Sequence, residues 1–317
     1  MSILNQKITL FRRITLFASF CAMFMTVSLF GQQDAQYTQY MYNTVSINPG
    51  YAGSRGHISI AALHRSQWVG LDGAPKTQTF NIHSPIGYRG MGMGISIVND
   101  VIGPTTETYF DVDFSYTIHT SREARLSFGL KASAHLLDIR FSELNQFTPD
   151  PTLEQDIQNK FSPNIGAGVY YHTNNFYAGL SVPRLLETSH FDESSLSTAS
   201  EQMNFYFITG YVYDLNSFLK FKPALLTKVT QGAPLQLDIS ANFMMNEKFI
   251  LGAAYRWDAA ISALAGFQVS NQLFIGVAYD REVTELGQAI FNDGSFEVVL
   301  RYDFIKMVSN LKSPRFF

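Results

Sequence analysis

The chain has 317 residues, of which 46% are hydrophobic, 14% aromatic and only 15% charged, and its formal net charge is −3. Soluble domains carry about 25% charged residues, so this composition favours a lipid-facing surface, and no basic excess points to nucleic acid as a partner. The mean hydropathy of 0.00 does not exclude a membrane protein, because a transmembrane barrel alternates apolar and polar residues and its average cancels.

The first 31 residues have the pattern of a secretory signal peptide. Lys7, Arg12 and Arg13 form a positive start, and an almost unbroken apolar run follows at residues 14–30. We expect cleavage near Gly31, although the small-residue pattern before that position is imperfect. A retained anchor helix of marginal length is the alternative.

The remainder of the chain has no run from which a spanning helix could form. The only cysteine, Cys21, lies in the predicted signal peptide, so the mature protein is expected to have no thiol, disulfide or cysteine metal site. After residue 31 no stretch of about 18 uninterrupted apolar residues occurs. If the mature protein lies in a membrane, it must therefore cross the membrane with strands.

Strict alternation of apolar and polar residues recurs between residues 57 and 305. Successive side chains of a strand point to opposite faces, so each run predicts a strand with one apolar and one polar face. The clearest runs are residues 110–119, 125–136, 235–243 and 296–304. Alternation alone also fits a soluble sandwich, but these runs extend about nine to eleven residues, as a tilted membrane crossing requires. Strands of globular proteins usually have about five or six residues.

The spacing of the connections gives an independent indication. We count about fourteen strands, and an even number is typical of bacterial single-chain barrels. Tight polar turns are expected at residues 120–123, 173–175, 214–217, 245–247 and 270–272, and the longest connections at 141–161, 185–201 and 281–293. They alternate along the chain, which predicts short turns inside and long loops outside. The fold class is therefore predicted to be all-β, a transmembrane antiparallel β-barrel with both termini in the periplasm.

Polar side chains on the predicted inner face do not form a catalytic pattern. Four histidines on this face lack the spacing of metal ligands; they are His83, His119, His135 and His172. Asp100, Asp111 and Asp113 could be paired carboxylates, but solvated lumen residues explain them adequately. We therefore predict no metal site and no cofactor.

Two other patterns have a simple structural explanation. Gly90, Gly92 and Gly94 superficially resemble a phosphate-binding loop, yet they alternate within a strand, which predicts a bend or a crowded lumen wall. His64 and Ser66 share a face and invite comparison with a membrane lipase, but they lack a recognisable nucleophile context. We predict that the protein is not an enzyme.

Four motifs follow one another in a specific order. They are Asn48-Pro49-Gly50-Tyr51-Ala52-Gly53, Gln67-Trp68-Val69-Gly70-Leu71-Asp72-Gly73-Ala74-Pro75, Asn99-Asp100-Val101-Ile102-Gly103-Pro104 and the ending Ser313-Pro314-Arg315-Phe316-Phe317. This series resembles the PorP/SprF family of type IX secretion system membrane proteins. The resemblance covers the first third and the tail closely, and the intervening barrel in general character.

The resemblance implies an outer-membrane barrel without catalytic residues that works with type IX secretion components. It implies support for export and surface anchoring of a particular large secreted protein or gliding adhesin with a type B C-terminal domain. A passive or ligand-selective channel is the alternative, because a barrel of about fourteen strands can enclose a water-filled or a plugged lumen. The motif residues to which we assign a structural role are Asn48, Pro49, Tyr51, Gly53, Gln67, Gly73, Asn99 and Asp100.

Residues 32–56 are predicted to form a periplasmic segment that leads into the first strand. Asn48 and Pro49 favour a turn, and Gly50 and Gly53 permit φ values that other residues avoid, so the segment should be conformationally fixed. The barrel itself is expected over residues 57–305.

Two surfaces are predicted to contact partners. Trp68, Leu71, Asp72 and Pro75 belong to a rigid outside loop that either contacts exported cargo or folds over the barrel mouth. The second surface is the basic periplasmic tail, residues 306–317, whose proposed contact residues are Arg315, Phe316 and Phe317. We expect this tail to dock on a periplasmic partner or to plug the lumen.

Overall fold

The structure, a computed structural model, describes residues 35–87, 90–143, 156–186, 202–231, 233–288 and 291–305. Two predicted parts, the signal peptide and the tail at 306–317, lie outside these residues. The strands are β1 (Ile58–Ser66), β2 (Lys76–Ile86), β3 (Met91–Ile102), β4 (Thr105–His119), β5 (Arg125–Ile139), β6 (Ile157–His172), β7 (Phe176–Val182), β8 (Asn204–Tyr211), β9 (Tyr213–Asp214), β10 (Leu219–Thr230), β11 (Gln236–Met245), β12 (Phe249–Arg256), β13 (Ala260–Gln268), β14 (Leu273–Glu282) and β15 (Ser295–Phe304).

These strands form one closed antiparallel barrel. Apart from β8 and β9, each strand pairs with its neighbours in the chain, and β1 pairs with β15 from Ile58↔Phe304 to Ser66↔Phe296, which closes the sheet. Both β8 and β9 pair with β10, so they are two parts of one barrel strand interrupted at Val212. The described chain thus has fourteen barrel strands, which confirms the predicted architecture.

The two faces of the barrel wall are apolar outside and polar inside. In β15 the exposed residues are Phe296, Val298, Leu300, Tyr302 and Phe304, and the alternate residues, which include Glu297, Arg301 and Asp303, are buried. A soluble sandwich would bury the apolar set and expose the polar one. The observed arrangement is that of a barrel whose outer surface meets lipid.

The longest connections all lie at one end of the barrel, although that end also has short connections at 103–104 and 257–259. Short turns occupy residues 120–124, 173–175, 215–218, 246–248 and 269–272 at the end where β1 begins, which we call the turn end. The opposite, loop end carries the long connections at 140–156, 183–203 and 283–294. This sorting agrees with the positions expected from the sequence.

Aromatic side chains surround much of the outer surface at the turn end. Their ring centroids approach to 4.8 Å for Phe221 with Phe243, to 4.8 Å for Phe249 with Phe267, and to 4.4 Å for Tyr211 with Tyr213. Aromatic girdles at this level are typical of the membrane–water interface of transmembrane barrels. They place the turn end at one boundary of the lipid-facing band.

Candidate functional site

Residues 35–56 lie inside the barrel, and we call this segment the plug. It contains two 3-10 turns, Tyr40–Tyr42 and Pro49–Tyr51, on either side of a short α-helix, α1 (Thr44–Ile47). Most of its side chains are buried against the inner wall, including Tyr40, Met41, Val45 and Tyr51. The prediction of a periplasmic segment at 32–56 is therefore wrong for the described part, because these residues pack within the lumen.

The first residues of the plug are bonded to a buried charged cluster in the loop half of the barrel. The cluster consists of Arg65 on β1, Asp280 on β14 and Glu297 on β15, and the Arg65 Nη1 atom lies 2.6 Å from Asp280 Oδ2 and 3.2 Å from Glu297 Oε2. The backbone N–H groups of Thr38 and Gln39 donate to the two carboxylate oxygens of Glu297 at 2.9 and 2.7 Å. The Thr38 hydroxyl also donates to Asp280 and accepts from Arg65. The ion pairs and hydrogen bonds of this cluster offset the large cost of removing its charged groups from water.

The centre of the plug is held by Asn48, which is completely buried. Its Oδ1 atom accepts from the Gly50 N–H at 2.9 Å, which caps the 3-10 turn that begins at Pro49. Its Nδ2 group donates to the carbonyls of Val169 and Leu180, on the adjacent strands β6 and β7, at 3.2 and 3.4 Å. The first motif thus combines a local turn with a direct bond to the wall.

Inward-facing glycines make room for the plug. A Cβ atom at any of five positions would lie closer than 3.0 Å to a plug atom; they are Gly92, Gly129, Gly168, Gly179 and Gly276. At Gly92 and Gly129 the obstructing atoms are backbone atoms of the plug, which cannot swing away as a flexible side chain can. The crowded lumen wall predicted for Gly92 and Gly94 is present, and Val45 of the plug packs on Gly94.

The plug reaches the turn end at Arg55. The Arg55 guanidinium is bidentate to Asp303 of β15, with Nη2 2.8 Å from Oδ2 and Nε 3.2 Å from Oδ1. The Gly53 N–H donates to His83 at 3.2 Å, and the Ser115 hydroxyl donates to the Ala52 carbonyl at 2.7 Å. The plug therefore runs from the loop half to the turn end and is bonded to the wall along its whole length.

The inner acidic residues are buried, contrary to the expectation of solvated lumen groups. Asp111 and Asp113 are 3% and 0% exposed, and both face Lys131, whose Nζ lies 2.8 and 3.2 Å from their nearest carboxylate oxygens. Asp100, 8% exposed, accepts from the Thr77 hydroxyl. These carboxylates therefore face protein groups within the barrel rather than an open lumen.

The connection between β1 and β2, residues 67–75, forms a fixed surface at the loop end. The Val69 N–H donates to the Gly294 carbonyl at 2.9 Å, and the Asp293 N–H donates to the Val69 carbonyl at 2.8 Å. On the other side, the Gly103 N–H donates to the Gly73 carbonyl at 2.8 Å. This loop is thus held between the β14–β15 connection and the β3–β4 hairpin.

The predicted contact residues of this loop differ in accessibility. Asp72 is exposed, Trp68 and Leu71 are half-buried, and Pro75 is buried. Trp68 has a φ of 46° and Gly70 a φ of 101°, so the loop follows a backbone path that few residues adopt. Within the same motif series, the Gln67 N–H donates to the Pro75 carbonyl at 2.9 Å, and Asn99 donates to Thr108 at 2.9 Å. The other predicted contacts, Arg315, Phe316 and Phe317, lie outside the described residues.

The His64 and Ser66 pair lies on the outer surface. Their side chains are 3.1 Å apart, and both alternate with the inward-facing Arg65. Within the described ranges no cluster of three or more His, Cys, Asp or Glu side chains is suited to a metal ion. No helix in the part of the chain that the structure describes is long and apolar enough to cross a membrane.

These features define an outer-membrane-type β-barrel whose lumen is occupied by its own N-terminal segment. The chain belongs to the PorP/SprF family of type IX secretion system membrane proteins, whose profile matches residues 29–302. The family resemblance drawn from the four motifs is thereby confirmed. No curated protein matches the chain.

Several solved structures match the chain at low sequence identity. The Acinetobacter baumannii outer membrane protein Omp33 matches at 8% identity over 78% of this chain and 98% of its own, with a TM-score of 0.45. The Ralstonia pickettii toluene transporter TbuX matches at 10% identity over 81% and 91%, with a TM-score of 0.46. A KdgM porin matches at 10% identity over 78% and 99%, with a TM-score of 0.37.

Proposed function

We propose that this protein is a closed, non-enzymatic outer-membrane partner of the type IX secretion system that supports export and surface anchoring of one large secreted protein or adhesin with a type B C-terminal domain. The observation that carries the proposal is the plug. A lumen filled by buried, wall-bonded residues leaves the loop end as the part of the barrel that is available to a large partner. A passive channel would require the plug to move out of the lumen.

The loop end has the properties expected of a docking surface. The β1–β2 loop is fixed on both sides by backbone hydrogen bonds, so little conformational entropy is lost when a partner binds it. The exposed carboxylate of Asp72 and the side chain of Phe291, which is 70% exposed, lie on neighbouring connections of this end. We propose that the cargo contacts this surface.

Deletion of the gene should release the cognate adhesin from the cell surface into the medium or leave it inside the cell. Complementation with the wild-type gene should restore surface adhesin, as measured by antibody labelling of intact cells. Unchanged surface adhesin in the deletion strain would contradict the proposed function.

The contact surface has a separate test. Asp72→Lys should lower surface adhesin several-fold, because it reverses an exposed charge on the loop, while the amount of folded barrel stays the same. Glu123→Lys is the matched control, since it makes the same change in an exposed turn at the opposite end. Normal display by both variants, in a strain that loses display upon deletion, would overturn the contact surface and leave the function standing.

The orientation of the barrel can be tested with single cysteines, because the only natural cysteine, Cys21, lies in the predicted signal peptide. We expect a membrane-impermeant maleimide to label Asp72→Cys on intact cells and to label Glu123→Cys only after the outer membrane is opened. Gln36→Cys should also react from outside, because the plug begins in the loop half. Labelling of Gln36→Cys only in opened cells would contradict this direction of the plug.

A further inference from the structure

A small enclosed cavity lies between the plug and the wall in the turn half of the lumen. Its lining includes Arg55, Tyr42 and Thr44 from the plug, and Ser59, Asn81 and Arg301 from the wall. It has room for one group of about the size of a water molecule, which excludes a phosphate or an organic acid. The rest of the lining is Val45, Tyr51, Ala61 and His83. The Ser59 hydroxyl, the Asn81 amide and the Thr44 hydroxyl already donate to protein acceptors, so the two guanidinium groups are the donors that matter for a bound ion.

Positive charge exceeds negative charge around this cavity. Arg55 and Arg301 share a single carboxylate, that of Asp303, with Arg55 Nη2 at 2.8 Å and Arg301 Nε at 3.3 Å from the same Oδ2 atom. Guanidinium groups remain charged in proteins.

In this arrangement the guanidinium group of Arg301 lacks hydrogen-bond acceptors for part of its N–H groups. Its side chain is 7% exposed, and its Nη1 atom has no hydrogen-bond partner among the described protein groups. The guanidinium lies 5.4 Å from the ring centroid of Tyr42 and 5.1 Å from that of Phe274, so two aromatic rings flank it. A buried charged donor without an acceptor is costly, and an anion in the cavity removes that cost.

We propose that this cavity binds one small monovalent anion of the halide class, which in cells is chloride. The ion lies between the Arg55 and Arg301 guanidinium groups and balances the charge that Asp303 leaves uncompensated. Because Arg55 belongs to the plug and Arg301 to β15, the ion links the plug to the wall. The anion is therefore a structural ligand that helps to keep the barrel closed.

The direct test is crystallographic and uses the wild-type full chain. Crystals grown or soaked with sodium bromide should show an anomalous peak within hydrogen-bond distance of both guanidinium groups. A cavity that contains only water at a bromide concentration of about 0.2 M would overturn the proposal. A peak that persists in Arg301→Gln would reveal an adventitious ion only.

Thermal unfolding in detergent provides the second test. The wild type should unfold several degrees higher in sodium chloride or bromide than in sodium gluconate at equal ionic strength. Arg301→Gln should lose this difference, and Arg281→Gln, which changes an exposed arginine at the loop end, should retain it. If Arg301→Gln does not fold, Arg301→Lys keeps the charge with fewer donors and should show a reduced halide effect. Equal unfolding temperatures of the wild type in all three salts would contradict a stabilising ion.

Discussion

Glu297→Leu is expected to open the barrel. The substitution removes the acceptor of two backbone N–H groups of the plug, those of Thr38 and Gln39, and leaves Arg65 with one carboxylate partner instead of two. Hydrogen bonds to a charged group contribute about 1.5–3 kcal/mol each, so the plugged state should lose about 3 kcal/mol or more. That loss raises the open population at least about a hundredfold.

Single-channel recording in planar bilayers measures this opening. Glu297→Leu should show frequent openings, and Glu297→Gln, which keeps one acceptor oxygen, should show an intermediate frequency. Glu247→Leu removes an exposed acid from the turn between β11 and β12 and should behave as the wild type. Equal opening frequencies for Glu297→Leu and Glu247→Leu would mean that this cluster does not retain the plug.

Gly129→Ala is expected to displace the plug from its central contact. The new Cβ atom would overlap the backbone at Pro49 and Gly50, and neither position can move without breaking the turn that Asn48 caps. Overpacking of a well-packed interior costs about 1–3 kcal/mol. The plug should therefore become accessible to protease much more often than in the wild type.

Limited trypsin digestion detects this displacement. Arg55 is paired with Asp303 and its side chain is 10% exposed in the closed barrel, so cleavage after Arg55 should be slow. Gly129→Ala should accelerate this cleavage at least about fivefold, which corresponds to the lower limit of that energy range. Ala132→Val, which enlarges an outward-facing residue of the same strand, should leave the rate unchanged. Similar rates in the two variants would contradict the tight fit at Gly129.

The barrel could be predicted from the sequence because alternation and turn spacing are local properties. The alternation within each strand indicates which of its residues face outward and which face inward. The order of short and long connections indicates which strand ends lie at the same end of the barrel. The same pattern does not indicate what fills the lumen, because a polar inner face is compatible with water as well as with a protein plug. For this reason Asp111 and Asp113 were expected to be solvated, whereas they are buried beside Lys131.

The sequence contains one feature related to the plug that the apolar–polar alternation does not explain, which is the set of glycines on the inner face of the wall. Gly92, Gly129 and Gly168 occupy inward positions of long strands, where glycine weakens a strand and marks the close approach of another backbone. Asn48, within the first motif, provides the matching group on the plug. Pairing such glycines with the plug requires contacts between residues 40 to 120 positions apart in the chain, which no local pattern contains. The rigid β1–β2 loop that contains Trp68 and Asp72 was easier to predict, because a turn is encoded in its own residues.

The conductance of the wild-type full-length protein tests the closed barrel most directly. We predict that purified protein inserted into planar bilayers in about 1 M potassium chloride gives no steady conductance, while Glu297→Leu conducts under the same conditions. The lumen of a fourteen-stranded barrel is wide enough for ions once the plug has left it. A stable open pore in the wild type, present in every inserted molecule, would contradict the plugged lumen and favour a channel.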